Sequence, residues 1–188
     1  MRTHIALVAA GIAVSVVTLS GCAVKAPPYS PSIQNVSTLK SHGAAAVAVG
    51  AFTVKSGLAT GQTLSLRANT MTSAIGGDFA AYLGEAIRSE LELAGRLGKG
   101  ADIEVSGVLL RNDVDPAIGT GTARIDAQFV VRRGGAVRFD KVKRGEMSWD
   151  SSFAAAVAIP KATQNYPVTV QNLLAALYAD ADFQAAIR

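Results

Sequence analysis

The segment 124–133, RIDAQFVVRR, constrains the fold most strongly, because apolar residues occupy every second position. This period places their side chains on one face of a β-strand. The alternating apolar residues are Ile125, Ala127, Phe129 and Val131. Gly134-Gly135 follows directly, and two glycines between extended segments indicate a tight hairpin. The sequence therefore predicts a long antiparallel hairpin, whose second strand covers residues 136–153 with an irregularity near Lys141–Gly145.

Two further strands are predicted on either side of a helical segment. The apolar run at 44–54, rich in β-branched residues, predicts a buried strand. The segment 103–110 predicts another, which ends in a polar turn at Asn112–Pro116. The residues GTG at 119–121 precede a strand rather than a helix, so they indicate a turn and not a phosphate-binding loop.

Apolar residues recur every four positions from Ile75 to Leu91, which predicts an amphipathic helix. A second helix is predicted after Pro160 and Pro167, with its apolar residues at helical spacing from Val170 onward. The predicted element order is β, α, β, β, β, α. We therefore expect one α+β domain over residues 44–188, with a mainly antiparallel sheet covered by two helices.

The N-terminal segment 1–21 has the pattern of a secretory signal peptide. Arg2 precedes the uncharged run IALVAAGIAVSVVTL. This run is shorter than the ~20 residues that an α-helix needs to span a hydrocarbon core. We expect a cleaved leader rather than a permanent transmembrane helix.

The residues LSGC at 19–22 resemble the bacterial lipobox, and Cys22 is the only cysteine of the chain. The resemblance implies cleavage between Gly21 and Cys22, with a diacylglycerol and an N-acyl chain on Cys22. These lipids would anchor the protein to the membrane. Ala23 stands where an aspartate commonly signals inner-membrane retention, so the resemblance implies an outer-membrane, periplasm-facing location, with the inner membrane as the alternative. The Pro- and Ser-rich segment 22–43 predicts a lipidated N-terminus followed by a flexible tether.

Composition narrows the chemistry of the mature chain. It keeps one histidine, His42, which excludes a histidine-based triad or a multi-histidine metal site. We therefore expect no enzyme activity, no metal and no cofactor other than the covalent lipid. After removal of residues 1–21, 17 basic and 14 acidic residues remain. This excess is too small to indicate nucleic-acid binding.

The predicted hairpin carries most of the clustered basic charge. Two interpretations remain open: a solvated face that guards an edge strand against aggregation, or a contact surface for an anionic partner. The candidate contact residues are Arg132, Arg133, Lys141, Lys143 and Arg144. If a partner binds an apolar patch instead, the strand end with Trp149 and Phe153 is the first candidate, although both aromatic rings are expected in the core or lining a groove.

The lipobox, the strands ADIEVSGVL, ARIDAQFVV and VRFDKVKRGEMSWDSSFAA, and the closing helix NLLAALYADADFQAAI resemble the YajG-like family of uncharacterised envelope lipoproteins. This resemblance implies a lipid-anchored α/β domain with no known catalytic residues. We expect the domain to recruit or support an envelope protein partner. The same element order, with GRLGKGADIEVSG between helix and strand, also resembles accessory lipoproteins of lipid-transporting ABC systems. That alternative implies a groove between a helix and the sheet that holds an acyl chain or an anionic lipid.

Overall fold

The computed structural model describes residues 23–188, so the predicted signal peptide and Cys22 lie outside the described residues. The strands are β1 (Ala23–Lys25), β2 (Val47–Val54), β3 (Thr63–Leu66), β4 (Asn69–Thr72), β5 (Ile103–Asp115), β6 (Gly119–Arg133) and β7 (Ala136–Ser151). The helices are α1 (Ile33–Ser41), α2 (Phe79–Leu93), α3 (Ala155–Tyr178) and α4 (Ala181–Ala186). These elements form an α+β fold, as the sequence predicted.

Strands β2, β5, β6 and β7 form the large sheet in that spatial order. Strand β2 runs parallel to β5, and the other neighbours are antiparallel. The predicted hairpin is confirmed, because Gly134 and Gly135 form its turn with φ values of 55° and 80°. The irregularity predicted near Lys141–Gly145 is wrong. The register shifts beside the turn instead, where Arg138 is the extra residue that adapts the strand to the turn.

Helices α2 and α3 cover one side of the large sheet, which we call the helix side. The Asp78 carboxylate caps α2 by accepting hydrogen bonds from the backbone N–H groups of Ala80 and Ala81. The helix therefore begins at Phe79, and Ile75 lies before it. The alternating apolar residues of β5 and β6 pack beneath both helices and form the main core with them.

Helix α3 is longer than predicted, because both prolines lie inside it. Each proline removes one backbone hydrogen bond from the helix. A continuous buried stripe runs past both positions, including Ile159, Tyr166 and Val170. Burial of this stripe against the sheet outweighs the lost hydrogen bonds, so helix formation starts at Ala155 rather than after Pro167.

Gly145 determines how closely α3 approaches the sheet. A Cβ atom at this position would lie 2.5 Å from the carbonyl oxygen of Thr169 and 2.6 Å from the backbone nitrogen of Leu173. Real Cβ atoms do not approach backbone atoms this closely. The absence of a side chain therefore lets α3 lie directly on β7, and no space is left between them at this point.

The expectation of a flexible tether up to residue 43 is wrong for the described part of that segment. Strand β1 pairs in parallel with β4, and β4 pairs with β3, which makes a second, three-stranded sheet. Ser32 caps helix α1, because its side chain accepts from the Asn35 N–H, and the helix buries Val36 and Leu39. Burial of these side chains against the rest of the domain outweighs the Pro and Ser content around them.

The predicted polar turn at Asn112–Pro116 is also wrong for Asn112 to Asp115, because strand β5 continues to Asp115. Asn112 is fully buried in β5, with its amide donating to the Thr60 carbonyl at 2.9 Å and accepting from the Tyr166 hydroxyl at 3.1 Å. These two partners are distant in sequence, so local turn chemistry could not reveal them. In the described part of the chain, no helix combines the length and apolarity needed to cross a membrane.

Candidate functional site

The side of β5, β6 and β7 opposite the helices carries no covering element among the described residues, and we call it the open face. Cross-strand pairing places charged side chains next to one another across it. Its side chains include Glu104, Ser106, Val108, Leu110, Arg111, Asp113, Arg124, Asp126, Gln128, Val130, Arg132, Val137, Asp140, Val142, Arg144 and Glu146. The open face is therefore a broad, accessible surface with both charged and apolar groups.

Asp126 is at the centre of the charges on the open face. Its carboxylate accepts from Arg124 at 3.0 Å and from Arg144 at 2.9 Å. Partial burial acts to raise the pKa of Asp126, but the hydrogen bonds from the two guanidinium groups outweigh it, and the net pKa lies below the ordinary value of 3.8. Glu146 lies 3.6 Å from each guanidinium and continues the row. Much of the positive charge on this face is therefore neutralised.

Apolar side chains lie between these ion pairs. Val108, Leu110 and Val130 are half-buried, and Val142 on the outermost strand is exposed. Arg132 lies beyond them, and the only hydrogen bond that its side chain makes with the described residues is a 3.5 Å contact to the Ser106 hydroxyl. Glu104 lies opposite Arg132 in the strand register, so the open face alternates apolar groups with groups of both charges.

The five candidate residues for an anionic partner do not form one surface. Arg132 and Arg144 lie on the open face, while Lys141 and Lys143 have the opposite strand parity and point to the helix side. Arg133 lies at the hairpin end and donates to the backbone carbonyl of Arg188. Because side chains alternate along β7, the lysines and Arg144 cannot contact the same partner face.

Both lysines are bound by carboxylates at the start of α4. Lys141 lies 3.1 Å from Asp180 and 2.6 Å from Asp182, and Lys143 also pairs with Asp180. Asp180 in addition caps α4 by accepting from the Asp182 N–H at 2.8 Å. The hydrogen bond from Lys143, assisted by Lys141, holds the pKa of Asp180 well below its ordinary value of 3.8. These lysines therefore fix α4 against β7.

A buried polar cluster around Glu90 was not predicted from the sequence. One carboxyl oxygen accepts from the Tyr29 hydroxyl at 2.6 Å, the Ser32 N–H at 3.0 Å and the Asn35 amide at 3.2 Å. Burial raises the pKa of Glu90, although these hydrogen bonds oppose the rise. The Tyr178 hydroxyl lies close to the carboxyl, but neither it nor the second carboxyl oxygen has a hydrogen-bond partner among the described residues. The cluster joins the N-terminal segment to α2.

The spacing of residues along α2 could have predicted that Glu90 is buried. It lies three residues after Ile87 and seven after Leu83, so it falls on the buried stripe of α2. A carboxylate on an apolar stripe predicts a buried partner. Arg96 has no comparable local signal: it is buried after the end of α2 and donates to the backbone carbonyls of Leu39, Ala45 and Ile187.

The two aromatic residues near the end of β7 have different environments. Trp149 is buried, and its ring lies where a side chain at Gly121 would stand. Phe153 lies beyond the end of β7 and is 81% exposed, so the expectation of a core or groove position is wrong for this ring. In residues 23–188, no three His, Cys, Asp or Glu side chains lie close enough to hold a metal ion.

The chain matches no known sequence family, and no curated protein is significantly similar to it in sequence. Among solved structures, it is similar to protein XCC0632 from Xanthomonas campestris, which is described as belonging to family DUF330. That similarity has a TM-score of 0.50 at 13% identity, over 84% of this chain and 93% of the other. A structure from Caulobacter crescentus CB15, described as a "putative lipoprotein", has a TM-score of 0.44 at 14% identity, over 81% of this chain and 93% of that one. The first similarity shows a shared fold, and the YajG-like resemblance stays a prediction.

Proposed function

We propose that this chain is a non-enzymatic lipoprotein of the bacterial cell envelope, anchored by lipid on Cys22 in the outer membrane and facing the periplasm. The observation that carries this proposal is the position of LSGC immediately before Ala23, where β1 begins. Cleavage before Cys22 would release a chain whose folded part starts at its second residue. The anchor and the domain would then be directly joined.

The acyl chains supply the membrane affinity. Each buried CH₂ group contributes about 0.8 kcal/mol, and one chain alone binds only weakly. The diacylglycerol and N-acyl chains together would hold the protein on the bilayer. This anchoring requires no transmembrane helix in the mature chain.

The arrangement of reactive side chains supports a non-enzymatic role. The His42 ring nitrogen lies 2.7 Å from the Thr38 carbonyl and 3.0 Å from the Ser41 hydroxyl, at the C-terminal end of α1. Glu90 and Tyr29 bind each other and the N-terminal backbone. Each of these groups has a structural role, and the open face offers contacts suited to a protein partner.

Lipidation is tested by replacing Cys22 with Ser and following radioactive palmitate incorporation and membrane fractionation. We expect the variant to lose the label and to leave the membrane fraction. The matched control is Ser20→Ala, which keeps a small residue before the cysteine and should be labelled as the natural chain is. Labelled Cys22→Ser protein, or an unmodified thiol in the natural chain, would contradict the proposal.

The partner surface is tested by charge reversal of Arg132 and Arg144 to Glu in the lipidated protein. We expect loss of the major crosslinked species in intact cells, because both guanidinium groups lie on the open face. The control is Arg88→Glu on α2, which changes an exposed arginine outside that face. Unchanged crosslinks with the double variant would exclude this part of the open face as the partner surface. Binding of the same variants to lipopolysaccharide tests an anionic ligand.

The alternative, an auxiliary lipoprotein of a lipid-transporting ABC system, would require space for an acyl chain between a helix and the sheet. The contact of Gly145 with the α3 backbone leaves no such space between α3 and β7 at that point. A cleft between α2 and β2, lined by Val49, Phe52 and Gly84, is the place where an acyl chain would have to bind. Co-purification of transporter subunits, or an extractable lipid in the native domain, would favour the alternative.

A further inference from the structure

The chain enters the domain at a defined end of the fold. Strand β1 pairs in parallel with β4, and Ala23 lies opposite Thr70. Ala23 therefore lies beside the start of β4, close to the β3–β4 turn. Arg67 forms this turn with a φ of 57°.

Arg67 connects the turn to two other segments. Its guanidinium donates to the Pro116 carbonyl at 2.8 Å, the Ser152 carbonyl at 2.8 Å and the Phe153 carbonyl at 2.9 Å. The start of β1, the connection between β5 and β6, and the segment between β7 and α3 therefore lie together. We call this part of the molecule the anchor end.

Three large apolar side chains are exposed on the segments that meet at the anchor end. Ile118 lies between β5 and β6 and is 64% exposed, Phe153 follows β7 and is 81% exposed, and Val157 in the first turn of α3 is 55% exposed. Each of these side chains could be buried away from water only by contacting something outside the described domain.

We infer that the anchor end lies against the lipid bilayer, with Ile118, Phe153 and Val157 inserted at its surface. This inference rests on the proposed lipidation of Cys22. Consecutive Cα atoms are about 3.8 Å apart, so an acylated Cys22 would hold the start of β1 within a few ångströms of the lipid headgroups. With no tether between them, the neighbouring apolar side chains meet lipid rather than water.

The same geometry places the β6–β7 hairpin far from the membrane. Gly119 pairs with Ser151 at the anchor end, and Arg133 pairs with Ala136 at the opposite end. Strand β6 has 15 residues. At about 3.3 Å per residue, it separates the two ends by roughly 45 Å. The exposed Val137, beside the hairpin turn, is therefore a matched apolar position that should stay in water.

The test uses the full lipidated protein in phosphatidylcholine vesicles that contain a spin-labelled phosphatidylcholine quencher. The sulfur of Cys22 carries the lipid, so an introduced cysteine is the only free thiol. An environment-sensitive fluorophore is attached to that thiol in each of the variants Phe153→Cys, Ile118→Cys and Val137→Cys. We expect a blue-shifted emission and about twofold or stronger quenching at positions 118 and 153 compared with 137. Equal quenching at all three positions, or water-like emission at 153, would overturn the inference.

Mass spectrometry of the Cys22 peptide separates this inference from the proposed function. An acylated peptide with water-like emission at position 153 overturns the orientation and leaves the anchor in place. An unmodified Cys22 overturns both. As a second measure, Phe153→Asp combined with Ile118→Asp should keep the protein on the vesicles but reduce quenching of a fluorophore at position 157 to the level seen at 137. Unchanged quenching at 157 would also count against insertion.

Discussion

Glu90 on the helix side and Asp126 on the open face each accept hydrogen bonds from several groups, yet their environments act on them in opposite directions. Glu90 is completely buried, and its pKa is raised by the loss of solvent. Asp126 keeps contact with water, and two arginines lower its pKa. The helix side is thus specified by packing and desolvation, whereas the open face carries charges that remain hydrated. The comparison predicts that stability depends mainly on the helix side.

The largest expected effect is that of Glu90→Ala. Removal of the carboxyl leaves the Tyr29 hydroxyl, the Ser32 N–H and the Asn35 amide without their shared acceptor in a buried site. We expect a loss of about 3–5 kcal/mol in the free energy of unfolding, measured by urea denaturation near pH 4, below the raised pKa of Glu90. The control Glu85→Ala removes an exposed ion pair with Arg88 and should cost below about 0.5 kcal/mol. Similar losses for both variants would contradict the comparison.

Gly145→Ala and Gly50→Ala place the same methyl group on opposite sides of the large sheet. At Gly145 the new Cβ meets the α3 backbone, which cannot move alone, and we expect a loss of about 2–3 kcal/mol in stability. At Gly50 the new Cβ meets the exposed side chain of Glu104, 2.7 Å away, which can rotate aside. Thermal unfolding should show a large decrease in Tm for the first variant and a small one for the second. The reverse order would refute the role assigned to Gly145.

The pH dependence of stability tests the desolvation of Glu90 directly. Because its pKa is raised in the folded state, its contribution to stability is present below the ordinary value of 4.5 and is lost as the pH rises through the folded-state pKa. Glu90→Gln keeps an acceptor oxygen and cannot ionise. We expect this variant to match the natural protein near pH 4 and to exceed its stability at pH 8. If the natural protein is as stable as the variant at pH 8, or more stable, burial of the ionised carboxylate has no cost at this site and the account is wrong.

Asp180→Asn should have a smaller effect of opposite pH dependence. The lowered pKa means that Asp180 stabilises the fold above its ordinary value of 3.8, and that this contribution is lost as the pH falls toward the folded-state pKa. Asparagine keeps the helix cap but removes the charge that binds Lys143. We expect a loss of about 0.5–1 kcal/mol at pH 7, measured by urea denaturation, which diminishes in acid. A loss that grows as the pH falls would contradict this account.

Arg144→Ala should have the smallest effect, because the Arg144 side chain pairs with Asp126 while about half of its surface is exposed to solvent. We expect a change below about 0.5 kcal/mol in the free energy of unfolding. Urea denaturation at low and at high salt checks both the size and the electrostatic origin of the change. A loss comparable to that of Gly145→Ala would mean that the open face also supports the fold, and would weaken its assignment as a free surface.

Local patterns predicted the central part of the fold. The alternation around Phe129, the glycines of the hairpin and the stripe of α2 each depend on residues near one another in sequence, so the predicted elements match the observed ones. The N-terminal segment was misjudged, since its structure comes from the binding of Tyr29, Ser32 and Asn35 by Glu90, which is 55 to 61 residues away. No local pattern of Pro and Ser residues contains that information.

The basic hairpin shows the same distinction at the candidate site. Strand parity alone separates Lys141 and Lys143 from Arg144, but the carboxylates that bind these lysines come from α4 at the other end of the chain. A count of charges therefore predicted one basic surface where the fold makes two separate sets of ion pairs.

Periodicity and turn residues in the sequence alone determined the hairpin, the two covering helices and the α+β class, because these features depend on interactions between near neighbours. The sequence also contains the LSGC pattern that predicts the lipid anchor. Only the tertiary structure decided the burial of Glu90, the pairing of the hairpin lysines and the meeting, through Arg67, of the segments that carry Ile118 and Phe153. Each of these depends on burial and on contacts between segments far apart in the chain, and the folded core alone brings those segments together.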